Sequence, residues 1–237
     1  MTLIEHLEEL RSRIFKMVIA FAVTSIVAWF FYDPILRFLI EPLTRLPAAA
    51  QFVTRGKLVF FSPQEAFFIR VKVVSVTGLA LALPVILWQA WRFVVPGLYK
   101  HERRYAIPFV FVASALFAAG VAVAFAMLPA ALRVLTAFGG RELVIVPRAS
   151  EYLSFLLLLI FAFGATFELP VVILALTLAG VVSTSVLRRG RRWAYVIILI
   201  VAAVVTPTPD PINMCLLAAP LVVLYEATIL VARLLRK

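Results

Sequence analysis

Residues 150–179 read SEYLSFLLLLIFAFGATFELPVVILALTLA, and only Glu151, at the edge, and Glu168, the nineteenth residue, carry charge. As an α-helix this stretch is about 45 Å long. The hydrocarbon core of a bilayer is about 30 Å thick. Only helices and closed barrels satisfy their backbone groups inside lipid. Barrel strands are roughly ten residues long and alternate in polarity, whereas this run is long and unbroken. It is therefore a helical membrane span.

The rest of the chain agrees. Of 237 residues, 64% are apolar and 15% charged, and the mean hydropathy is +1.07. A soluble domain is about 45–50% apolar and about 25% charged, so a cytosolic enzyme is excluded. The fold class is all-α: a polytopic membrane protein forming a helical bundle of six spans, at 14–32, 66–90, 105–132, 150–179, 193–206 and 212–235. The whole chain, 1–237, forms one integral membrane domain. The fifth span has 14 residues, roughly 21 Å of helix, and a span that short thins the bilayer, oligomerises or packs on another protein. A cleaved signal peptide at the first run is disfavoured, because Glu5, Glu8 and Glu9 replace a basic n-region.

The formal charge is +11. In a membrane protein such an excess orients the chain rather than binding nucleic acid. Fourteen of the 23 basic residues fall on one side: around Arg11 and Arg13, between spans two and three, around Arg188–Arg192, and in the tail. Both termini therefore face the cytoplasm. On the opposite side, the stretch 35–40 suggests a short helix lying on the membrane. Thr206-Pro207-Thr208-Pro209-Asp210-Pro211 is a rigid turn. One cysteine, Cys215, excludes a disulfide within the chain, and two histidines, His6 and His101, exclude a multi-histidine metal or haem site. No cofactor or metal and no catalytic residue is expected. The Walker A, GxSxG and HExxH patterns are absent.

Four segments carry candidate chemistry. Residues 1–13 read as a short amphipathic cytoplasmic helix, with Leu3, Leu7, Leu10 and Ile14 in one stripe. Within it, Glu9 shares a face with Glu5 and reaches Arg13 at i,i+4; this is either a routine ion pair or an acidic spot for a basic ligand. In the loop after span two, Pro96-Gly97 marks a turn, and Trp91, Phe93 and Tyr99 suit a membrane interface. Glu102 there pairs with neighbouring basic residues or joins Glu9 in a cation-selective site.

Glu168 lies deep, where a charged side chain costs roughly 2.5–3.5 kcal/mol at the least. Such a group is protonated, hydrogen-bonded or facing a wet groove. Pro170 has no N–H for the carbonyl of Thr166, so Thr166, Glu168 and Pro170 form a polar notch. Glu226 lies nearer the cytoplasmic end, within reach of Arg233 or the interface. Asp210 caps its own turn.

Taken together, these segments resemble the TatC family, the multispanning subunit of the twin-arginine protein translocase, over nearly the whole chain. His6-Leu7-Glu8-Glu9-Leu10-Arg11-Ser12-Arg13 is similar to the family's HLxELRxR motif. Pro42, in Glu41-Pro42-Leu43, resembles its first periplasmic proline. Pro96 through Arg104 resembles PxLYxxER, and Phe163 through Pro170 resembles FGxxFExP. Thr206-Pro207 followed by Asp210 resembles the last periplasmic turn, one residue longer than usual. Phe125 stands where many members have tyrosine.

The resemblance implies a receptor in the bacterial cytoplasmic (inner) membrane for the twin-arginine signal peptides of folded cargo. Glu9 and Glu102 would pair with the arginines, Phe93 and Arg11 would shape the site, and the bundle would be concave, with Glu168 lining its groove for the signal's apolar stretch. TatA and TatB would be partners in an oligomeric complex driven by the proton motive force. The alternative is a proton-coupled small-solute transporter with Glu168 as proton carrier.

Overall fold

The computed structural model describes residues 3–44, 60–94, 106–137, 148–178, 180–205 and 211–235. These residues form eight helices: α1 Leu3–Phe30, α2 Tyr32–Thr44, α3 Pro63–Val94, α4 Ala106–Ala137, α5 Ala149–Leu178, α6 Thr184–Arg189, α7 Arg191–Val205 and α8 Pro211–Leu235. Five of them are long and apolar enough to cross a bilayer: α1, α3, α4, α5 and α8. The fifth expected span is α7, whose 15 residues make about 22 Å of helix, short of that length. The predicted amphipathic segment 1–13 is no separate helix within residues 3–13: α1 runs unbroken from Leu3 to Phe30, because no proline or glycine interrupts it. The stretch 35–40 lies within α2, with Pro42 near its end.

α5 is the hub. Its most apolar window is 56% buried, against 11% for α1, and it packs on α3, α4, α7 and α8. The cause is in its sequence: Leu153, Leu156, Ile160, Phe163 and Phe167 recur at helical spacing and are buried together. They meet Ile69 and Val73 of α3, Ala124 and Leu128 of α4, and Leu217 and Leu221 of α8. Meanwhile Phe15, Phe30, Phe111, Leu158 and Val204 stay exposed, as suits helices whose outer solvent is lipid rather than water.

Between helices in lipid, small residues permit close approach. A Cβ added at Gly120 of α4 would lie 2.7 Å from the carbonyl oxygen of Phe163. One added at Gly164 of α5 would strike the Phe117 ring. On the other flank α1 meets α3, where the Thr24 hydroxyl donates to the Gly78 carbonyl at 2.7 Å.

The helix ends alternate, and side chains tie each end together. At the end where α3 and α5 begin, Glu65 accepts from the backbone N–H of Phe61 (3.0 Å) and Ser150 (3.3 Å) and from the Ser150 hydroxyl. Arg70 lies over Trp29 and Tyr32 and donates to the Trp29 carbonyl. Tyr152 of α5 donates to the Leu39 carbonyl at 3.0 Å, fastening α2. At the other end α5 stops at Gly180, whose φ of 77° suits glycine, and Ser183 caps α6 by accepting from Val186 N–H.

Candidate functional site

The start of α1 meets the end of α3. His6 stacks on Phe93, with ring centroids 4.7 Å apart and planes at 24°. Glu9 lies one turn beyond His6 on the same face, so the contact brings Glu9 and Phe93 to one place. Glu9 Oε1 accepts from Arg13 Nε at 3.1 Å and from a terminal guanidinium nitrogen of the same arginine. Its Oε2 is buried and has no partner. The two side chains are only 19% and 12% exposed, respectively, so this is a shielded pair rather than a solvated one. A carboxylate with one oxygen paired and one buried and unpaired can accept a second guanidinium.

Arg11 is not part of that cluster. Two residues from Glu9, it lies off the Glu9 face. With Leu7, Ile14, Phe15 and Val18 it lines a separate cavity of about 700 Å³ along α1. Glu102 and Asp210 lie outside the described residues, as do Tyr99, the Pro96–Arg104 motif and the Thr206–Pro209 part of the proline turn.

In the bundle, Glu168 is 9% exposed and neither carboxyl oxygen has a partner. The expected notch is rearranged. The Thr166 hydroxyl donates to Ala162 O at 2.6 Å, within its own helix, not to Glu168. α5 continues through Pro170. The carbonyl of Pro170 accepts from Thr228 of α8 at 3.3 Å. Pro170 also lines an apolar cavity of about 240 Å³ with Leu169, Ile173, Ile197 and Tyr225, between α5, α7 and α8. Glu168 and this cavity therefore meet the same stretch of α5 on different faces.

Three side chains take places that sequence reasoning did not assign. Glu226 does not pair with Arg233: it accepts from Arg191 at 2.7 Å and from Tyr195 OH at 2.6 Å. Trp91 does not face outward; it is 1% exposed and packs on Phe109 of α4, ring centroids 4.2 Å apart. His6 holds Phe93, and its i,i+3 spacing from Glu9 was the available signal. Phe125 meets Phe38 of α2 at 5.1 Å. Pro42 is half-buried at the end of α2. Cys215 is exposed. Among the described residues no group of three His, Cys, Asp or Glu could hold a metal.

Comparison with known proteins places these features. The family model described as TatC, Sec-independent protein translocase protein, matches residues 5–220. The chain is similar to the Sec-independent protein translocase protein TatC of Carboxydothermus hydrogenoformans, 40% identical across all of this chain and 94% of that one. It is also similar to that of Frankia casuarinae, 40% identical over 98% of this chain; it spans 65% of that longer relative. A crystal structure of the twin arginine translocase receptor TatC in DDM superposes with a TM-score of 0.77 at 36% identity, covering 96% of this chain and 99% of that chain.

Proposed function

We propose, for a chain that belongs to the TatC family of Sec-independent protein translocases, that it is the cytoplasmic-membrane receptor for twin-arginine signal peptides. It is a multi-pass transport protein and not an enzyme. The observation that carries the receptor reading is the whole-length likeness to a solved twin arginine translocase receptor. That membership also decides against the solute transporter. Both termini face the cytoplasm in this reading, and α7 is the short fifth of six spans.

The arginine pair is captured first. Adjacent guanidinium groups need two carboxylates, each offering bidentate geometry. Glu9 is one and Glu102, nine residues after Phe93, is the other. The unpaired Glu9 Oε2 supports this, since a buried acceptor without a donor is rare unless a ligand supplies one. Phe93 gives the arginine stems an apolar surface, while Arg11 stays with the separate cavity along α1.

The apolar stretch of the signal then inserts along the bundle near Glu168, with Thr166 and Pro170 shaping the same helix. TatA and TatB assemble there, against the exposed Val196, Ile197, Ile200 and Val204 of short α7. The proton motive force drives folded cargo across. Pro42 and Asp210 set the opposite, periplasmic ends.

A photocrosslinking residue at Phe93 tests the capture step. It should label a twin-arginine signal peptide and not its double-lysine counterpart. Equal labelling would mean that charge alone is read there. No labelling, in protein shown to be folded, would remove the site.

A further inference from the structure

α6, α7 and α8 enclose a second polar feature that the receptor reading does not use. A cavity of about 490 Å³ is lined by Arg188, Arg191, Arg233 and Glu226, with Val223, Ala227 and Leu230 among its apolar wall residues. Its arrangement follows from local contacts. Tyr225 OH donates to the Leu187 carbonyl at 2.9 Å, and Leu187 is buried against Tyr225 and Ile229. That clamps α6 onto α8 and sets Arg188 beside the start of α7. Arg191 spends one guanidinium nitrogen on Glu226, while its Nε is buried without an acceptor. Three arginines thus face one carboxylate, leaving two positive charges in excess.

The cavity is also graded along its length. Val223, Glu226, Ala227, Leu230 and Arg233 share one face of α8 at helical spacing. Arg233 lies at the helix end, and Val223 lies ten residues deeper, about 15 Å along the axis. Val223 and Leu230 are 66% and 59% exposed. Orientation of the chain needs only basic residues near the helix ends; it does not need them to converge on one cavity with an apolar inner wall.

We propose that this cavity binds an anionic phospholipid, with its phosphodiester on Arg188, Arg191 and Arg233 and an acyl chain along Val223, Ala227 and Leu230. Basic pockets between membrane helices take anionic headgroups in this way. Guanidinium forks match phosphate oxygens. The excess positive charge repels a twin-arginine peptide, so the site is separate from Glu9.

Native mass spectrometry of the full chain tests the assignment, with dioleoylphosphatidylglycerol, dioleoylphosphatidylcholine and glycerol 3-phosphate as probes. Phosphatidylglycerol should be retained at energies that strip phosphatidylcholine. The R188Q/R233Q double variant should weaken its binding on the order of 10-fold. Equal retention of the two lipids, or unchanged binding by the double variant, would overturn the proposal. So would competition by glycerol 3-phosphate as effective as that by the lipid, which would indicate a site for a free phosphate. Should the double variant fail to fold, Leu230→Gln keeps every arginine. It should lower phosphatidylglycerol binding several-fold, and unchanged binding there would equally defeat the lipid assignment.

Discussion

Arg13→Gln should loosen the empty receptor and tighten its grip on the signal peptide. In the empty protein Arg13 occupies Glu9 Oε1 with two nitrogens, and the pair is only 12% and 19% exposed. A peptide guanidinium that takes Glu9 bidentately must displace Arg13 or accept half the carboxylate. A shielded ion pair of this kind exceeds the few tenths of a kcal/mol of an exposed one and falls within the roughly 1.5–3 kcal/mol of hydrogen bonds to charged groups. Much of that returns when Arg13 finds water, leaving a competition of about 1 kcal/mol, or roughly fivefold in Kd. Removing Arg13 should therefore improve affinity about fivefold. It also strands Glu9 with no cation beside two shielded oxygens, which lowers the stability of the empty protein. Affinity and melting temperature should move in opposite directions, and added peptide should restore more stability to the variant than to the parent. The assay is fluorescence anisotropy of a labelled twin-arginine peptide on the solubilised full chain, with thermal melts run with and without peptide. Glu9→Gln is the control and should weaken binding. If Arg13→Gln binds more weakly than the parent with an unchanged melt, Arg13 holds Glu9 in place rather than competing for it, and the reasoning fails.

Three structural perturbations test the bundle. Gly120→Ala places a methyl group 2.7 Å from a backbone oxygen of α5 and should cost about 1–3 kcal/mol by overpacking, read as a lower denaturation midpoint; an unchanged midpoint would mean that α4 and α5 are not in this contact. Tyr152→Phe removes the donor to Leu39 and should cost on the order of 1 kcal/mol. Hydrogen exchange should rise in α2 while α8 stays protected. Thr24→Val deletes the hydroxyl that reaches Gly78 and should cost about 0.6 kcal/mol, the average for such bonds within membranes; a loss several times larger would mean that the hydroxyl anchors more than the α1–α3 contact.

The spans could be read from sequence because lipid leaves a helix few alternatives. The run 150–179 differs by one residue at each end from α5. The surroundings of individual side chains were less legible, since each depends on a neighbour brought near by packing. Trp91 carries the composition of an interface anchor, and only the arrival of Phe109 from α4 turns it into a buried residue. The acids show the limit best. Glu9 and Arg13 are four residues apart on one helix, so their pairing follows from spacing. Glu226 and Arg191 are thirty-five residues apart, and α8 offered Arg233, seven residues on, as the partner nearer in sequence. By depth Glu168 was the stronger candidate, and Glu226, nearer the cytoplasmic end, the weaker one. Partnering separates them. Glu226 has both oxygens engaged, by Arg191 and Tyr195, and that is how a structural acid fastens α7 to α8. Glu9 retains one buried oxygen without a donor and Glu168 retains two. An unmet acceptor costs free energy in the empty protein, and a ligand that supplies the donor recovers it. Loss of Glu226 should therefore show first as loss of folding, and loss of Glu9 or Glu168 first as loss of binding.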